Sequence, residues 1–247
     1  MTVYSVERDI KASDVDINRR LRLSVLLREL QEASIAHTEA LGMGREKTLD
    51  CGLLWVISRL SLSIGALPEY GQRITVRSYP YKTMHTVFPR CYEGLDEKGG
   101  VCFRGCALWL LMDMESRDMA DPEERGIVID AETPAELASL PGSLPGFEGE
   151  RSCRRVMFSD TDLNGHMNNS RYPDWADDLL GAEYHRRHVP SSLQINFRKE
   201  IPAGEEVGLL SLLTSGEDGD VFRVRGASET QTFFDLEERF ILEPYWK

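Results

Sequence analysis

The chain has 247 residues, 41% of them apolar and 28% charged, an ordinary globular composition that argues against disorder. Its formal charge of −12 speaks against whole-molecule attraction to nucleic acid or to an anionic membrane. The longest apolar run, Cys106–Met112, has seven residues, far below the ~18 of a membrane-spanning helix.

Glu7, Asp9, Asp14 and Asp16 interrupt the first sixteen residues, which is no signal-peptide pattern and leads us to expect a cytoplasmic protein. The five cysteines form no C-x-x-C pair, and Cys102 and Cys106, four apart, have no His nearby, so we expect five reduced thiols and no metal site.

In chain order, Asp16-Ile17-Asn18 precedes a helix whose face is Leu23, Leu26, Leu27, Leu30, Ser34, His37 and Leu41, with Gly42 and Gly44 as stops. Strand-like runs follow at Leu53 to Ile64, Arg73 to Tyr79, Thr86 to Tyr92 and Val101 to Met112. The Pro- and Gly-rich stretch from Asp130 to Glu150 reads as a surface linker, with a short helical piece near Pro134–Leu140. Then the pattern returns. Asp162-Leu163-Asn164 precedes a helix bearing Tyr172, Trp175, Ala176, Leu179 and Leu180, with Pro173 in its first turn and Gly181 as its stop. Strands are expected over Leu193 to Lys199, Glu206 to Leu213, Val221 to Ala227 and Thr232 to Leu242.

The two halves therefore read as a tandem repeat of an α+β unit. The Asp-x-Asn triplets lie 146 positions apart, whereas Leu60–Ile64 matches Leu193–Phe197 at an offset of 133. The first copy thus carries about 13 extra residues between its helix and its first long strand. The expected division is 1–129, a linker over 130–150, and 151–247.

There is no G-x-S-x-G elbow, no Walker A or G-x-G-x-x-G loop and no H-E-x-x-H. The chemistry concentrates in Ser159–Ser170, just before the second helix, whose first-turn N–H groups favour developing negative charge. His166 can move a proton near neutral pH, Asp162 can orient it, and Asn164 can hold water or a carbonyl. The competing reading of the same residues is helix capping and Asx turns. The repeat weighs against capping alone. The first copy keeps Asp16 and Asn18 but has Arg20 where the second has His166, and Leu67 where the second has Glu200. Glu200 is read as ending the Leu193–Lys199 strand, where a low-dielectric setting would suit it as a base; the alternative is a solvated charge beside Arg198 and Lys199.

The string Asp162-Leu163-Asn164-Gly165-His166-Met167-Asn168-Asn169, with Arg171-Tyr172 and Trp175, resembles the active-site segment of the acyl-acyl-carrier-protein (acyl-ACP) thioesterases. Arg198-Lys199-Glu200 before Pro202, Gly204 and Glu206, and the run Trp109-Leu110-Leu111-Met112-Asp113, share this resemblance. It implies two tandem hotdog units, each a long helix wrapped by an antiparallel sheet, the first binding the acyl chain and the second catalytic. It also implies hydrolysis of fatty acyl-ACP to fatty acid and carrier thiol, without a cofactor. By position, Asp162, Asn164, His166 and Glu200 would be catalytic, and Asn168, Asn169, Leu26, Leu30 and Trp55 would contact substrate.

An acidic carrier would need local positive charge, for which Arg154, Arg155, Arg186 and Arg187 are the expected docking residues, with Arg151, Arg198 and Lys199 as further candidates. Plant members commonly carry cysteine directly after the glutamate. Ile201 stands there, so attack by water is implied rather than by a thiol. The N-terminus lacks a plastid-targeting pattern, which suggests a bacterial cytosolic member. The pairing of units within one chain fits a monomer or a homodimer. Two other functions stay open at this level, hydrolysis of acyl-coenzyme A and non-catalytic acyl binding; a hotdog dehydratase is a weaker rival.

Overall fold

A computed structural model describes residues 3–137 and 139–242. The first half runs β1 (Tyr4–Asp9), α1 (Leu23–Ala40), α2 (Arg45–Asp50), β2 (Leu53–Ile64), β3 (Arg73–Pro80), β4 (Val87–Asp96) and β5 (Val101–Asp113). The second runs β6 (Glu150–Arg155), α3 (Arg171–Arg187), β7 (His188–Phe197), β8 (Glu206–Gly216), β9 (Gly219–Ala227) and β10 (Thr232–Leu242). The last five residues of the expected 151–247 unit lie outside the described residues.

All ten strands form one antiparallel sheet in the order β1-β3-β4-β5-β2-β7-β10-β9-β8-β6. Read outward from the β2–β7 seam, each half repeats the same strand sequence. At the seam Ser61 pairs with Gln194, and these two residues are also repeat equivalents at the 133 offset. A pseudo-twofold axis therefore passes between them, and the two units close on each other as the halves of a C2 dimer would.

The repeat persists down to individual hydrogen bonds. Asn18 N–H donates to Asp16 Oδ1 at 2.8 Å, and Asn164 N–H to Asp162 Oδ1 at 2.8 Å. Leu21 N–H donates to the Pro68 carbonyl, and Met167 N–H to that of Ile201. Arg19 and Gly165 occupy equivalent turn positions at φ 66° and 79°, a region natural for glycine and strained for arginine.

Both helices lie against the inner face of the sheet. Leu26 and Leu30 of α1 and Trp175 and Ala176 of α3 are buried in one core with Leu60, Leu62, Ile195 and Leu236. α1 ends in a Schellman motif, with Gly42 at φ 73°, Met43 N–H on the Thr38 carbonyl and Gly42 N–H on that of Glu39. Gly181 does not stop α3 as expected. It takes φ 77° as a kink, and the helix resumes to Arg187.

Several expectations are corrected. The short strands β1 and β6 at the sheet edges were not anticipated, and α2 fills the extra segment of the first half. Glu200 lies past the end of β7, in the turn toward β8, rather than on the strand. After β5, Ile127 and Ile129, ahead of the expected linker, and Leu137 within it are buried against the sheet. Cys91 and Cys106 are not free thiols. They face each other across β4 and β5 and are joined as a disulfide, a register that a separation of 15 residues does not reveal in sequence. Cys51, Cys102 and Cys153 remain thiols.

Candidate active site

The loop preceding α3 is organised by two carboxylates. Asp160, nearly fully buried, accepts the Met157 N–H at 2.9 Å and lies 3.4 Å from the Arg171 guanidinium. Asp162 accepts the N–H of Asn164, and its backbone N–H donates to the His166 carbonyl at 3.0 Å. Gly165 at φ 79° closes this turn, which projects Asn164 and His166 into a cavity.

Glu200 arrives from the turn after β7. Its Oε2 lies 3.7 Å from His166 Nδ1 and also accepts from Arg117, a residue of the segment after β5. The His166 and Glu200 side chains are 33% and 36% exposed, so the low-dielectric enclosure expected for Glu200 is not present. Tyr172, in the first turn of α3, is buried beneath the group. Burial raises the pKa of its phenol, and the nearby Glu200 and Asp162 raise it further, so it stays neutral.

The cavity, about 530 Å³, runs from this group into the first half. Its walls include Ser34, Ile35 and Thr38 of α1, Thr48 and Leu49 of α2, Leu54–Val56 of β2, and Phe88 and Trp109. Asp162, Asn164, His166, Asn168, Asn169 and Glu200 line it together, and Trp55 is in its wall. Leu26 and Leu30 are not. They sit one to two turns earlier on α1 and pack into the core, so the substrate-contact expectation for them is corrected.

Arg90 was missed by sequence reading. Only 5% exposed, it lines the cavity with its guanidinium on three neutral acceptors: His37 Nδ1 at 2.9 Å, Ser78 Oγ at 2.8 Å and Thr38 Oγ1 at 2.9 Å. Burial lowers its pKa below the usual arginine range. Arg117 was missed as well, since nothing in sequence connects it with a partner 83 positions away.

The first-copy loop explains why one site opens and its twin does not. There Asn18 Nδ2 donates to the His185 carbonyl at 3.0 Å, and Arg20 donates to the carbonyls of His185 and His188. α3 leads directly into β7, so this loop docks onto the end of the helix. In the first half, the segment from Leu41 to Gly52 separates α1 from β2, and its α2 forms part of the cavity wall facing the second loop. The 13-residue difference between the repeat offsets was the sequence signal for this opening.

The expected docking arginines are all tied to acids of the chain itself. Arg154 pairs with Asp178 at 2.6 Å and lies over the Trp175 ring, and Arg155 is 3.5 Å from Glu206. Arg186 and Arg187 both pair with Glu183, near the contact with the first-copy loop rather than at the cavity. The exposed cations that line the cavity are Arg45 and Arg117. Among the described residues no helix is long and apolar enough to cross a membrane.

Residues 1–125 match the acyl-ACP thioesterase N-terminal domain, and residues 148–235 match the C-terminal domain of the same family. A chloroplastic palmitoyl-acyl carrier protein thioesterase of Gossypium hirsutum is 24% identical over 86% of this chain and 55% of its own length. A chloroplastic dodecanoyl-[acyl-carrier-protein] hydrolase of Cinnamomum camphora is 24% identical over 84% of this chain and 58% of its own. The chain thus spans little more than half the length of these relatives. Among solved structures, an acyl-ACP thioesterase of Bacteroides thetaiotaomicron superposes with a TM-score of 0.85 at 18% identity, covering 97% of this chain and 98% of its own. The 12:0-ACP thioesterase of Umbellularia californica does so with 0.82 at 20% identity, covering 98% and 94%. These likenesses establish the double hotdog fold. With family matches that cover nearly all of both halves, the chain belongs to the acyl-ACP thioesterase family.

Proposed function

We propose that this chain hydrolyses fatty acyl thioesters carried on acyl carrier protein, releasing fatty acid and the carrier's thiol and so ending chain growth. The observation that carries the reading is the shared cavity, in which His166 and Glu200 of the second half face a space of about 530 Å³ walled by the first. In this reading the first half, 1–129, holds the acyl chain, the second, 151–247, does the chemistry, and both work in the cytoplasm beside the carrier.

Glu200, with His166 beside it, takes a proton from a water molecule as that oxygen bonds to the thioester carbonyl carbon. The oxyanion is held by the Asn164 amide, which lines the cavity beside Glu200. Collapse breaks the C–S bond, and the proton held at the site passes to the departing thiolate. Asp162 fixes the loop that carries Asn164 and His166. Arg117 holds the Glu200 carboxylate in place. Ile201, fully buried, leaves no thiol at the position after Glu200. Carrier docking belongs to Arg45 at the cavity rather than to Arg154, Arg155, Arg186 and Arg187, whose charges, like that of Arg117, are already met within the chain.

The test is free-thiol release from a panel of acyl-ACPs, compared with the same acyl groups on coenzyme A. Faster turnover on the carrier supports the reading, and turnover confined to coenzyme A overturns it. The same panel reads the cavity wall. Arg90→Leu replaces a buried cation with apolar surface, so longer chains should gain about 0.8 kcal/mol per newly buried methylene, roughly fourfold in kcat/KM. An unchanged chain-length profile would remove Arg90 from the chain's path.

A further inference from the structure

A second concavity lies on the pseudo-twofold axis. It is a polar groove of about 450 Å³ in which lining residues recur as repeat equivalents: Ser13 with Ser159, Arg22 with Asn168, Ser24 with Ser170. We propose that this groove binds a phosphate group, and that on the thioesterase reading it holds the phosphodiester of the carrier's prosthetic arm.

Two long helices, α1 and α3, begin at the groove, and neither N-cap residue, Arg22 or Ser170, caps its helix with its side chain. Their first-turn N–H groups and positive dipole ends favour an anion. Ser24 and Ser170 are only 7% and 8% exposed, yet among the described residues neither hydroxyl has a hydrogen-bond partner. Both hydroxyls open onto the groove, and as donors related by the axis they offer a place for one acceptor.

The charges agree. Arg22 donates through Nε to the Val15 carbonyl, and its terminal nitrogens have no hydrogen bond among the described residues. Arg28, about half exposed, makes only long ion pairs, 3.8 Å to Asp14 and 3.9 Å to Glu29. The acids lining the groove, Asp160 and Asp174, are both engaged by Arg171, and Asp160 also by the Met157 N–H. Water alone would satisfy the serines. Water would also solvate the exposed Arg22 and Arg28, but it does not gather two guanidinium groups, two hydroxyls and two helix N-termini onto one ligand. Phosphate does, since it accepts from guanidinium, hydroxyl and backbone N–H together.

The groove also adjoins the active site. Asn168 lines both the groove and the cavity, and Thr161 of the groove directly precedes Asp162. An arm with its thioester at Asn164 and Glu200 therefore has a polar path leading to Arg22 and Arg28.

The experiment compares one acyl group on three thiols: pantetheine, phosphopantetheine and the intact carrier. For the Arg22→Ala/Arg28→Ala protein we expect the ratio of kcat/KM on acyl-phosphopantetheine to that on acyl-pantetheine to fall at least tenfold relative to wild type. Inorganic phosphate should inhibit wild type on acyl-phosphopantetheine competitively. An unchanged ratio overturns the assignment to the arm, even where the variant binds inorganic phosphate less well, because that pattern describes a free-anion site. Ser24→Ala/Ser170→Ala repeats the test without altering charge, should the arginine variant fail to fold. A wild-type chain that cleaves none of the three substrates refutes the thioesterase reading instead. The groove is then judged by phosphorus-31 line broadening of inorganic phosphate, whose absence overturns the site itself.

Discussion

Glu200→Ala should lower kcat on acyl-ACP by about 10²–10⁴-fold, the range a positioned general base contributes, with little change in KM. The residue sits in a turn, a third exposed, with Arg117 and His166 as its contacts, so its removal leaves the core intact. Glu200→Gln should be as inactive, since it keeps the shape and the contact with Arg117 but cannot accept the proton. Asn164→Ala should cost roughly 10²–10³ in kcat if its amide holds the oxyanion. The repeat supplies an internal control. Asn18→Ala removes the equivalent residue of the closed twin, where the amide donates to the His185 carbonyl. It should lose about 1 kcal/mol of stability and leave turnover unchanged. Thiol release from the four variants beside wild type, each with a thermal melt, separates these outcomes. Near-normal turnover of Glu200→Ala would remove proton transfer by this carboxylate from the mechanism, and equal losses for Asn164→Ala and Asn18→Ala would dissolve the distinction between the copies.

That distinction was legible in sequence to an instructive depth. The two Asp-x-Asn turns, the glycine at 165 and the difference between repeat offsets are local facts, and local facts follow from short-range sterics and hydrogen bonding. They placed both loops, both helices and the long strands. The strands that escaped, Tyr4–Asp9 and Glu150–Arg155, are six-residue edge strands at the two ends of the sheet. Glu150–Arg155 is almost wholly exposed and has no apolar alternation to read. Pairings made through space were hidden for a different reason. Arg117 meets Glu200, Arg90 meets His37 and Cys91 meets Cys106 only once the sheet fixes its register, and no property of one segment announces the other. The α1 face shows both limits at once. Its apolar spacing gave the helix correctly but could not divide Leu26 and Leu30, which serve the core, from Ser34, Ile35 and Thr38 farther along, which line the cavity.

Stability should decline as pH rises toward 8, because the second half holds two neighbouring carboxyl groups, Glu238 and Asp177, that resist ionisation. Glu238 of β10 is fully buried, and neither carboxylate oxygen has a hydrogen bond among the described residues. Burial raises its pKa well above the ordinary value, and Asp177 raises it further. Asp177 on α3 is itself pushed up to about 8, first by burial and then by Asp174, Asp178 and Asp16, with Arg22 opposing. His185 also faces it, with Nε2 3.4 Å from Asp177 Oδ1. An acid with a raised folded pKa holds its proton in the native state while the unfolded chain, titrating near 4, has lost it. The native state then binds more protons than the unfolded one, and stability falls with pH from about 4 until the folded group ionises. Two other groups act with the opposite sign. Asp113, held below the usual carboxylate range chiefly by the Ser116 and Glu115 N–H groups, loses stability only as pH falls below 4. His185, lowered by burial, gives stability that rises with pH up to its unfolded value near 6.5. The clean window is therefore pH 6.5–8, where the carboxyl pair acts without either. Across it Tm should fall by ~4–8 °C, corresponding to roughly 2 kcal/mol for forcing charge onto the buried Glu238 beside the partly exposed Asp177. Glu238→Gln should flatten that slope by leaving a single ionisable carboxyl at the site. Melting curves at half-unit pH intervals decide the matter: a slope equally steep in Glu238→Gln would place its source elsewhere in the protein.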